Sequence, residues 1–90
     1  MQADEEQIRK RIAGMAERRN NTTIEDIQWV VTQLKQWHSI GSRTARHGVL
    51  FRVGTRRFMV NCHNPGSKQV KPYSVDEFLD AMIELGWYEG

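Results

Sequence analysis

The sequence predicts a small α+β domain: a three-stranded antiparallel sheet with two helices on one face, in the order α-β-β-β-α, preceded by an extra N-terminal helix. Three observations lead there. Apolar residues recur every three or four positions around 24–36 and again around 74–85, as on one face of a helix. Between these segments, from Gly48 to Cys62, apolar and polar residues alternate on both sides of Gly54-Thr55, as in a hairpin. Ninety residues with a 39% hydrophobic share suffice for a single layer of helix on sheet.

Residues 3–19 have a helical pattern, with Ile8, Ile12 and Met15 as a thin apolar stripe and Glu5/Arg9 and Glu6/Lys10 as i,i+4 pairs. So narrow a stripe reads as an appendage, which divides the chain into an extension over 1–19 and a main domain over 20–90. Asn20-Asn21 breaks the pattern. The next helix starts at Thr22 or Thr23, where Thr22-Thr23-Ile24-Glu25 has the spacing of a capping box, and Ile24, Ile27, Val31 and Leu34 carry it to about Gln36. Trp37 to Thr44 reads as one short strand. Glycine at the first turn position of Gly54-Thr55 suits a two-residue type II′ turn. That turn pairs Val53 with Arg56, Phe51 with Phe58, Val49 with Val60 and His47 with Cys62, and it sets Arg52 opposite Arg57, where like charges repel. Pro65, Gly66 and Pro72 mark 63–73 as a loop from which Lys68 and Lys71 project. Ser74-Val75-Asp76-Glu77 has the spacing of a second capping box, followed by an apolar face of Val75, Phe78, Leu79, Met82 and Ile83 and a stop at Gly86.

Charge is segregated along the chain. No acidic residue lies between Asp26 and Asp76, a stretch with eight of the thirteen Lys/Arg and all three histidines. The remaining segments hold five basic and eleven acidic residues, so the net charge of +2 conceals a strongly basic middle. Such a field suits a polyanionic ligand. The single cysteine, Cys62, excludes an intramolecular disulfide and suits a reducing cytoplasm. The acidic N-terminus does not resemble a targeting peptide, and no apolar run approaches membrane length. A soluble cytoplasmic protein that does not span membranes is the expectation.

From Asn20 onward the chain resembles the HicA family of toxins. The likeness is carried by Val60-Asn61-Cys62-His63, by Lys68-Gln69-Val70-Lys71-Pro72 and by Ser74-Val75-Asp76-Glu77-Phe78-Leu79. These are similar to the family's strand ending in Val-Pro-x-His, its Lys-x-Ile/Leu-Lys-Pro loop and its final helix. Asn20-Asn21 with Thr23-Ile24-Glu25-Asp26-Ile27 is similar to the entry of its first helix. The resemblance implies a fold like that of double-stranded-RNA-binding domains, a metal-independent endoribonuclease acting on mRNA without a cofactor, and a HicB-like antitoxin as protein partner. The family's Gly-Ser-His signature corresponds to Ala45-Arg46-His47 here.

Cleaving RNA without a metal requires a base for the 2′-hydroxyl proton, an acid for the leaving 5′ oxygen, and positive charge on the phosphate. Histidine as a residue type titrates near pH ~6.5 and serves either proton transfer. His47 is therefore the expected acid–base residue and His63, across the open end of the hairpin, its partner. Arg46, Lys68 and Lys71 are the expected phosphate-binding groups, with Arg52 and Arg57 tracking RNA backbone from the turn end. No Cys-x-x-Cys or His-x-x-x-His spacing accompanies Cys62-His63, so no metal site is expected. Cys62 reads as an inert buried thiol, His38 as structural or exposed, and Trp29, Trp37 and Trp87 as packing groups. Two other readings suit the same charge pattern: an RNA-binding module without catalysis, and a protein-interaction domain for an acidic partner.

Overall fold

The computed structural model describes residues 3–64 and 66–90; Met1, Gln2 and the loop proline Pro65 lie outside the described residues. The elements are α1 (Glu5–Glu17), a 3-10 turn (Arg19–Asn21), α2 (Ile24–Leu34), β1 (Ile40–Thr44), β2 (Gly48–Val53), β3 (Arg56–Asn61) and α3 (Pro72–Glu84). The strands form one antiparallel sheet in the order β1-β2-β3. The α+β class and the α-β-β-β-α order with an extra first helix are therefore as the sequence predicts.

The first helix departs from expectation. Asp4 caps it, accepting the Gln7 amide at 2.8 Å while the Gln7 side chain accepts the Asp4 N–H at 3.0 Å. Its stripe of Ile8, Ile12 and Met15 is completely buried and belongs to the main core. Residues 3–17 are thus a core element rather than an appendage. A three-residue stripe suffices because α1 lies against both α2 and α3, so each side chain is enclosed from two directions. Full burial of each contributes about 1.5–3 kcal/mol. Gln33 of α2 and Gln36 just beyond its end also grip the backbone of Ala3, through its N–H at 2.9 Å and its carbonyl at 3.1 Å.

Helix α2 uses the capping box one residue later than the expected Thr22–Glu25 pair. Thr23 and Asp26 form it, because the buried Thr22 hydroxyl already donates to the Arg18 carbonyl at 3.1 Å and Glu25 turns to Lys68. The helix stops at Leu34, short of Gln36, and β1 begins only at Ile40.

The β2–β3 register is the expected one, including Arg52 opposite Arg57. Gly54 supplies the positive φ (62°) that a type II′ turn needs at its first position. Phe51, Val53, Phe58 and Val60 point inward and are buried; α2 covers β1 and β2, and α3 covers β3, so both helices share that face. Phe58 links the layers, with its ring centroid 5.6 Å from Phe51 and 5.8 Å from Phe78.

Helix α3 begins at Pro72, not at a Ser74 cap. Proline is pre-set for the first helical position and has no N–H to lose there, so Lys71 becomes the N-cap. Ser74 is buried inside the first turn, and its Oγ accepts the Asn61 N–H at 2.9 Å. Ile83 is 45% exposed rather than part of the apolar face. The helix closes as expected at Gly86 (φ 84°), whose N–H donates to Ile83 O while that of Trp87 donates to Met82 O. The 62–71 segment is stitched between α2 and β3 by Ile24 N–H to Lys68 O (2.7 Å), Val70 N–H to Thr22 O (3.0 Å) and Lys71 N–H to Asn61 O (2.9 Å).

Candidate functional site

The β1–β2 connection is as short as a hairpin allows. Thr44 pairs with Val49, and the Ala45 N–H donates to Gly48 O at 2.8 Å, leaving Arg46 and His47 as its two tip residues. Both are exposed, and the His47 ring makes no side-chain hydrogen bond among the described residues. The strand β3 side holds this tip in place through the Cys62 N–H, which donates to His47 O at 2.6 Å. The approach is so close at Gly48 that a Cβ there would lie 1.8 Å from Val60 O. Glycine is required by space at the residue next to His47.

Behind the tip is a concavity of about 260 Å³, lined by Arg46, His47, Cys62, Asn64, Ser67 and Gln28 among others. Cys62, which is 6% exposed, contributes to its lining. Burial pushes that thiol's pKa above its ordinary value, so Cys62 is a packing group and a poor nucleophile.

His63 is not brought to this concavity. His47 is opposite Cys62, and neighbours one residue apart on a strand project to opposite faces. Cys62 follows the inward residues Phe58 and Val60, whereas His63 lies at a bend beyond the end of β3, its N–H donating to Gln69 O at 3.1 Å. Same-face diagonal neighbours are offset by two residues, not one. The two imidazoles therefore do not share this concavity, although both residues lie at the same end of the sheet.

The expected cations divide into tethered and open ones. Lys68 Nζ is 2.7 Å from Glu25 Oε1 in an exposed ion pair; this hydrogen bond and the carboxylate charge raise its pKa. Arg52 bends away from Arg57. Its guanidinium lies over Gly41, donates to Gly54 O at 2.8 Å and approaches Ser39 Oγ at 3.5 Å. That carbonyl answers the repulsion expected of two facing arginines. Arg56 Nε sits 2.7 Å from Glu84 Oε2, an ion contact without good hydrogen-bond alignment. Arg57 and Arg43 remain exposed on the outward sheet face, around the half-buried Leu50 and Met59. Lys71, at the α3 N-cap, directs its ammonium to 5.8 Å from the Tyr73 ring.

His38 is structural: its Nε2 accepts the Trp87 indole N–H at 3.2 Å. The Trp37 ring lies tilted against Trp87 with centroids 5.0 Å apart, and Trp29 lies under the Arg11 guanidinium at 4.5 Å, so all three tryptophans pack against neighbours. Among the described residues no group of three or more His, Cys, Asp or Glu side chains is placed to hold a metal ion, and no helix is long and apolar enough to cross a membrane. Sequence reasoning passed over two features. One is the steric demand at Gly48; the other is Tyr73, 54% exposed with its hydroxyl bonded to Asn61. An aromatic residue directly after Lys71-Pro72, off the apolar face of the helix, was the available signal for the second. No protein-family model, curated protein or solved structure matches this chain.

Proposed function

We propose that this chain is a metal-independent endoribonuclease of the HicA toxin type, with His47 as its proton-transfer residue. One observation carries the reading: Arg46 and His47 stand side by side, exposed, at a hairpin tip over a concavity in a sheet without any acidic residue. The resemblance of 20–90 to that family adds the reaction. The RNA 2′-oxygen attacks phosphorus and the 5′-oxygen leaves, giving a 2′,3′-cyclic phosphate and a 5′-hydroxyl. The phosphorane gains negative charge as it forms, and the Arg46 guanidinium is suited to hold it. His47 takes the 2′-hydroxyl proton or supplies the one to the leaving oxygen. Its exposed position lets water carry the other proton, so a second histidine is unnecessary. Lys71 is the supplementary cation, since Lys68 is paired with Glu25. A HicB-like antitoxin with an acidic surface complements the basic sheet and would silence the site by covering His47.

The test is cleavage of a long labelled RNA by purified wild type and His47→Ala in excess EDTA. Wild type is expected to yield fragments with cyclic phosphate ends, and His47→Ala to be slower by about 10²-fold or more. Intact RNA in both lanes with a retained gel shift would leave an RNA-binding module without chemistry. No shift at low salt would leave a domain for an acidic protein.

A further inference from the structure

Strand β1 is the outer strand on its side of the sheet, and its free edge is open. The hydrogen-bond phase of β1 is fixed at both ends. The Ala45 N–H donates to Gly48 O at 2.8 Å, and the Gly54 N–H donates to Ser39 O at 2.8 Å. Hydrogen-bonded and non-bonded pairs alternate along an antiparallel ladder, so Gly41 and Arg43 also bond to β2. Ile40, Ser42 and Thr44 therefore turn their N–H and C=O groups away from β2, along roughly 13 Å of edge. Among the described residues these groups have no backbone partner outside the sheet. Neither a proline nor a bulge, the usual means of blunting an edge, interrupts β1.

Cations reach this edge on the sheet face opposite the helices. Arg52 pairs with Gly41 and extends its side chain over it: a Cβ on Gly41 would lie 3.1 Å from Arg52 Nη2 and 3.2 Å from Nε. The guanidinium is anchored there by Nη1, which donates to Gly54 O at 2.8 Å. Arg43 is exposed two residues further along β1, on the same face. Both arginines line a concavity of about 300 Å³ with Gly41, Ser42, Leu50 and Arg57. The three strands carry no acidic residue to neutralise them.

We propose that the β1 edge accepts an added strand from an acidic protein, one with Asp or Glu at two alternate positions. Those two residues fall opposite Gly41 and Arg43, where their carboxylates meet the Arg52 and Arg43 guanidinium groups. The residue between them pairs with Ser42 and exchanges both backbone hydrogen bonds with it. In strand addition the main chain supplies affinity and the alternate side chains supply selectivity. A second copy of this chain is a poor occupant. Antiparallel self-pairing centred on Gly41 sets Arg52 against Arg52, centred on Arg43 it sets Arg43 against Arg43, and centred on Ser42 it sets Arg43 against Arg52. Like charges so placed repel. RNA is also a poor occupant, because its phosphates accept from the N–H groups but are repelled by the carbonyls between them. The proposal goes beyond the ribonuclease reading and does not depend on it.

The experiment uses the isotope-labelled full chain and a short capped peptide in which glutamate alternates with valine and threonine. Binding is expected to slow amide exchange at Ser42 and Thr44, followed by NMR. N-methylation of the valine and threonine amides, which face the edge, should weaken binding roughly 2- to 10-fold. N-methylation of the glutamate amides, which face away, should leave it unchanged. Arg43→Glu, at an exposed position, should weaken the glutamate peptide roughly 2- to 30-fold and favour a peptide with lysine in place of glutamate. Equal affinity for the two N-methylated peptides would mean attraction by charge alone and would overturn strand addition. So would equal or greater slowing at Ser42 by single-stranded RNA of the same charge. Ser42 exchange that is already slow in the free chain and quickens on dilution would assign the edge to a second copy instead.

Discussion

Gly48→Ala perturbs the site through a single methyl group. The new Cβ would lie 1.8 Å from Val60 O, 2.8 Å from Val60 C and 2.9 Å from the Asn61 Cα, all of them backbone atoms. Ordinary contact needs about 3.5 Å, so β2 and β3 must part by roughly 1.5 Å at this end. Strand β3 cannot yield, because Asn61 is held at 2.9 Å by both Ser74 Oγ and the Lys71 N–H. The hairpin tip must move instead, and the 2.6 Å bond from Cys62 N–H to His47 O is the first to break. Overpacking of this kind costs about 1–3 kcal/mol, and the lost hydrogen bond adds about 1. A total of about 2–4 kcal/mol, at about 4–8 °C per kcal/mol for a domain of this size, lowers the Tm by about 10–30 °C. Thermal unfolding followed by far-ultraviolet circular dichroism measures it directly. A fall of less than about 3 °C would refute the claim that the strands are locked here.

Two further outcomes follow from the core. Ile12→Ala should destabilise by about 2–5 kcal/mol in denaturant unfolding, as a fully buried position does, whereas an appendage would tolerate it with almost no change. Cys62 should react slowly with a thiol-exchange reagent when folded and quickly once unfolded, because burial raises its pKa. The sign with pH follows. Above the ordinary thiol pKa of about 8.5 the folded chain retains the proton that the unfolded chain loses, so stability declines as pH rises toward the folded pKa. Cys62→Ser should flatten that alkaline slope; an identical slope in both proteins would assign it to another group.

The β2–β3 hairpin was legible in the sequence residue by residue, since Gly54-Thr55 sets the register and a period of two sets the faces. The same holds for the α2 stripe and the Gly86 stop, where the signals lie within one turn of the features they specify. The candidate site was legible in part. Arg46 and His47 could be named from the sequence, but their position as a two-residue tip depends on pairing between β1 and β2. His63 does not line the concavity at His47, because the chain leaves β3 at Asn61 and bends there toward Gln69. The exposed fate of Tyr73 and the tether between Lys68 and Glu25 depend on where α3 and α2 dock against the loop. The clearest contrast is α1. Ile8, Ile12 and Met15 announce a helix by their spacing alone, yet whether that helix is core or appendage is decided by the two helices that enclose it. Periodicity is a property of the local chain, and burial is a property of what packs against it.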